Sequence, residues 1–118
     1  MLLVRGYTFS ASHKFVSDLT TAGATIVSTS AALTSKTATS GVFNAANLTP
    51  TFAAVAAGAA CPAMIIIQSS AVTGGADVAA TSQRVIAYID TATGLPVTPN
   101  GGDINSSWDT GANKIYKL

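Results

Sequence analysis

Glutamate is absent from this chain of 118 residues, and histidine, cysteine and tryptophan occur once each. Charged residues make up 9% of it, against about 25% in an ordinary soluble domain. Five aspartates leave no halophilic acidic surface and no paired carboxylates arranged for glycoside hydrolysis. The six cations, Arg5, Lys14, Lys36, Arg84, Lys114 and Lys117, are scattered, whereas neutralising a phosphate backbone needs several on one face. Nucleic acid is therefore not an expected partner. Lone Cys61 cannot close an intrachain disulfide and reads as a small buried apolar residue, and one Cys with one His cannot assemble a zinc site.

Long apolar runs are missing too. Phe52 to Ile67 falls short of the ~20 residues of a spanning helix and is broken by Gly58 and Pro62, so we read it as two strands joined by a small-residue turn, with no membrane partner. The opening MLLVR is too short for the apolar region of a signal peptide, and nothing marks the chain for export.

What the chain does have is strand signal. MLLVR, Ala24–Ser30, Ala32–Thr37, GVFNA, Leu48–Val55, Ala63–Ser70, Gln83–Asp90, GDINSSW and NKIYKL are short runs rich in β-branched or aromatic residues, punctuated by turn residues. The expectation is a single all-β domain over residues 1–118: an antiparallel β-sandwich or barrel-like fold with long loops. At most one short helical turn is expected, around His13 to Asp18. In VIAYI, Val85, Ala87 and Ile89 should face one way and Ile86 and Tyr88 the other, as in a central strand covered on both sides or one that meets a partner. MIIIQ should pair beside it. The Gly-Gly-containing connection between them, Ser69–Ser82, is a candidate protruding contact loop.

Chemistry-bearing patterns are weak. The glycines of TSGVFNAAN, TGGADV and PNGGD do not lead into a helix with a lysine behind them and read as turns rather than phosphate cradles. A serine nucleophile would need His13 as base and Asp18 or Asp90 as orienting acid. Asp18 reads better as a turn or cap. Asp90, Asp103 and Asp109 superficially resemble fragments of an oxygen-ligand loop, so a weak calcium site is weighed against a hairpin turn. The turn is preferred, because the glycine and terminal glutamate of a calcium-binding helix–loop–helix are missing at the required places. No catalytic, cofactor-binding or metal residues are assigned.

The C-terminal stretch parses as a strand IAYID, a connection TATGLPVTPNGG stiffened by Pro96 and Pro99, a second strand DINSSWD, a loop from Asp109 to Asn113, and a third strand KIYKL. Trp108 and Tyr116 are then candidates for cross-strand aromatic packing.

This stretch, with YTFSASHKFVSDL, ALTSKTATSGVFNAAN and LTPTF, resembles a family of small virion proteins of tailed bacteriophages of the capsid decoration, or cement, type. Its most specific part is IAYIDTATGLPVTPNGGD followed by W-D-x-G-A-N-K-I. The resemblance implies a non-enzymatic structural protein without cofactors on the capsid exterior, bound to the major capsid protein and to itself, as a trimer on three-fold positions or, next, a dimer on two-fold ones. The alternative is a tail-tube or tail-fibre component. Family members open with an additional N-terminal stretch, so an N-terminal arm is expected to be shortened or missing here.

Overall fold

The computed structural model describes residues 1–112 and 114–117. The chain is all-β apart from one short helix, with two antiparallel sheets. Strands β1 (Leu2–Arg5), β2 (Thr25–Thr29), β5 (Ala63–Gln68) and β6 (Arg84–Ile89) form a four-stranded sheet in the order β2-β1-β5-β6. The smaller sheet is ordered β3-β4-β7, from β3 (Thr37–Thr39), β4 (Val42–Asn44) and β7 (Tyr116–Lys117).

The larger sheet is covered on both faces, which is why β1 and β5 are apolar at successive positions rather than alternating. On one face Leu2, Val4, Ala63 and Ile65 pack with Tyr7, Val16 and Leu19 under the helix α1 (Val16–Thr21). On the other, Leu3, Met64 and Ile66 pack with Phe52, Val55 and Cys61, and Phe43 of β4 joins them from the smaller sheet. Leu3, Ile65 and Phe52 are fully buried, each contributing about 1.5–3 kcal/mol relative to exposure.

The helix is the expected short one, displaced by three residues, because Asp18 lies at its start and not at its end. The Asp18 carboxylate accepts the backbone N–H groups of Lys14 (2.8 Å) and Phe15 (2.9 Å), satisfying donors at the N-terminus. Val16 and Leu19, three apart, share the buried side. Gly23, at φ +93°, ends the helix in the left-handed conformation that glycine adopts without strain. Residues 13–15 are instead laid along β6, where Val85 N–H donates to Lys14 C=O (2.9 Å) and Val16 N–H to Gln83 C=O (3.0 Å).

MIIIQ and VIAYI do pair, antiparallel, as β5 and β6. VIAYI is not central, however. β6 is an edge strand, and its alternation is broken by a bulge: Ile66 pairs with Ala87 and Ile67 with Val85, leaving Ile86 as the extra residue. Val85 therefore joins Tyr88 on the helix side while Ala87 and Ile89 pack on the other, and Ile86 is 44% exposed. The opposite edge strand is bulged in the same way, at Val27 between the pairs Leu3–Ser28 and Val4–Ile26.

Three expected strands do not form. Residues 32–36, the stretch from Leu48 to Val55 and GDINSSW are irregular apart from an isolated bridge between Phe52 and Ile104. Their backbone groups are nonetheless paired. Asn47 Oδ1 accepts Trp108 N–H, Phe52 and Ile104 exchange N–H···O bonds, and Val55 bonds Gly102 and Gly101. Gly58 N–H then donates to Pro99 C=O, and Cys61 exchanges bonds with Val97. The C-terminal ribbon thus runs antiparallel to the alanine-rich middle of the chain, not to itself. Tyr116 correspondingly stacks on Phe43 (ring centroids 5.3 Å apart) and not on Trp108. The expected loop from Asp109 to Asn113 lies partly outside the described residues; within it Gly111 N–H donates to Asp109 Oδ1 (3.0 Å).

Candidate functional site

His13 is placed by the segment that crosses β6. Its Nδ1 lies 3.0 Å from the Tyr7 hydroxyl, which also accepts Ser10 N–H at 3.3 Å, and the His13 and Tyr7 rings are 5.7 Å apart. Tyr7 in turn meets Tyr88 edge-on, and Phe9 covers Tyr88 from outside with 57% of its own surface exposed. The hydrogen-bond partner of the imidazole is thus a phenol, and no serine or carboxylate bonds it among the described residues. Asp18 is held by backbone N–H groups, which lower its carboxyl pKa; the nearby His13 and Lys14 charges act in the same direction more weakly. This is the capping role, not an orienting acid.

Cys61 is fully buried, and burial raises its thiol pKa, opposed weakly by the Arg5 charge. Such a thiol is inert. The three aspartates of the ribbon are not brought together. Asp103 Oδ1 accepts Ala54 N–H (2.8 Å), Asp109 Oδ1 accepts Gly111 N–H, and Asp90 is exposed at the end of β6. Among the described residues no group of three or more His, Cys, Asp or Glu side chains converges. Their placement is that of turn and strand-end residues.

The ribbon does border an open cleft of about 630 Å³, walled by Met64, Ile89, Leu95, Ile104, Trp108 and Tyr116, with Asn105 and Asp109 among its polar members. The Trp108 indole N–H is buried and has no acceptor among the described residues. Lys114, at the same cleft, donates to Thr110 C=O at 2.8 Å. These groups can contact a neighbour or small molecule, but the cleft places no base beside a nucleophile.

No known family model matches this chain, and no curated protein is significantly similar to it.

Two polar partnerships were not legible in the sequence. Tyr7 serves His13 from six residues away across a turn, and Thr51, 2% exposed, shares its hydroxyl with Leu48 C=O and Ser106. Neither pair has a recognisable spacing. The Ser69–Ser82 connection is a small hairpin of its own, bridged between Ser70 and Asp77, with Ser70 Oγ donating to Val72 C=O (2.9 Å) and Val72 67% exposed.

Proposed function

We propose that this chain is a non-enzymatic structural protein of a tailed-phage virion, which binds the outer surface of the capsid, cements neighbouring subunits and associates with further copies of itself. The observation that carries the reading is how the reactive side chains are used. His13 bonds Tyr7, Asp18 caps a helix, Asp103 caps the Ala54 amide and Cys61 is sealed in the core. The residues with chemistry hold the fold, and the surface left over is built largely of Thr, Ser, Ala, Asn and Gly. Such a surface offers hydrogen-bonding area with little charge to desolvate on docking. Weak contacts suffice for cementing, because a copy that touches two subunits gains effective concentration from the capsid lattice. The resemblance of the ribbon to phage decoration proteins supports the same reading.

The test is made on purified particles. Full heads should carry the protein at near-stoichiometric amounts, and heads stripped of it should burst earlier on mild heating, chelation or low-salt shock. Unchanged particle stability after its loss would sink the proposal. Antibody label confined to the tail in negative stain would move the protein to a tail-tube or tail-fibre role.

A further inference from the structure

The two edges of the four-stranded sheet are treated differently. The β6 edge carries Arg84 and is crossed by residues 14–16, which take up its backbone bonds through Lys14 C=O and Val16 N–H. The β2 edge has neither. Thr25–Thr29 contains no charge and no proline, and its neighbours extend the uncharged run from Leu19 to Ser35. Among the described residues the backbone of β2 bonds only to β1, so its outer row of N–H and C=O groups has no protein partner. Ile26 and Val27 are half-buried there, one at the margin of each core.

Open strands of this kind add another strand unless something prevents it, and native proteins prevent it with charge, proline, a bulge or a covering segment. Here the bulge at Val27 is the single such device: it bends the strand locally and leaves the ladder groups on either side free.

We propose that the β2 edge is a strand-addition site whose occupant is a second copy of this chain, pairing antiparallel through its own β2 and joining the two four-stranded sheets across a two-fold axis. Charge selects this occupant. A two-fold contact sets each strand against itself, so any charge on it meets its like, and β2 is the long sheet edge on which there is none to repel. The β3 edge is shorter, three residues beside Lys36, and β7 itself carries Lys117. Pairing would also cover the exposed margins of both cores at Ile26 and Val27. The inference rests on the self-association part of the proposed function and not on the capsid part, so the two are tested separately.

The experiment is sedimentation velocity of the purified chain between about 1 and 100 µM, with amide hydrogen exchange read at β2. Wild type should be a dimer whose β2 amides lose protection on dilution. Thr29→Lys, at an exposed position, should weaken dimerisation roughly tenfold or more, whereas Thr39→Lys on the β3 edge should leave it unchanged. Circular dichroism melts of both variants establish that they fold. A wild type that stays monomeric over this range, a trimer, or a dimer indifferent to Thr29→Lys overturns the inference. Head-binding by the same variants reads the capsid proposal independently.

Discussion

Phe52 and Ile104 exchange both backbone hydrogen bonds, each at 2.9 Å, across 52 residues of chain. That pair fastens the C-terminal ribbon to the alanine-rich middle, and the Phe52 side chain, fully buried, fixes the ribbon to the core under β1 and β5. Phe52→Ala should cost about 3–5 kcal/mol through lost burial and the cavity left behind. Thermal melts would then fall by more than about 10 °C, and a shift within a degree or two would show that the ribbon is not anchored there.

Asp103 and Ala54 make the next attachment. The carboxylate bonds the amide of a residue whose backbone sits at φ +45°, a conformation that costs a side chain about 1–2 kcal/mol. Asp103→Ala should destabilise by about 1 kcal/mol, while Ala54→Gly should stabilise by a similar amount. Chemical denaturation of the two variants checks the opposite signs.

The helix start makes a pH-dependent contribution. Asp18 has its pKa lowered chiefly by the Phe15 and Lys14 amides, so its stabilising effect is fully present above the ordinary carboxylate value of 3.8 and is lost as pH falls through the lower folded-state value. Asp18→Asn should be less stable than wild type at neutral pH, and the difference should shrink in strong acid. Melts of both proteins from neutral pH down to about pH 2 measure it, and a gap that does not close would contradict the assignment.

Tyr7 and His13 share one hydrogen bond, so Tyr7→Phe and His13→Ala should not add. Each should cost roughly 0.5–1.5 kcal/mol from that bond, and the double variant should recover about one bond's worth. Additive losses in the double-mutant cycle would mean that the contact at 3.0 Å contributes nothing.

Cys61 should resist iodoacetamide in the folded protein and react at the rate of a free thiol once the chain is unfolded in guanidinium. Rapid labelling of native protein, read by mass spectrometry, would place the thiol outside the core.

Much of this was already legible in the residues. Runs such as AMIIIQ and RVIAYI become strands because β-branched side chains favour extended backbone, and their mutual pairing follows from being the two most apolar runs joined by a short excursion. The sparse charge, with its single His and Cys, likewise limited catalytic and metal chemistry before any coordinates were known. The tertiary structure decided what residue preference does not encode. Alanine fits any hydrophobic pattern, so nothing local marks the stretch from Phe52 to Cys61 as the partner of Val97 to Ile104; only closure of the chain brings them together. The bulge at Ile86 reassigned Val85 to the helix side, and sheet order made β6 an edge and left β2 open, because register and neighbours are set by packing on both faces at once. The opening question of the ribbon's aspartates ends the same way: their spacing suggested a loop for an ion, and the long-range partners Ala54 and Gly102 made it a zipped margin of the core.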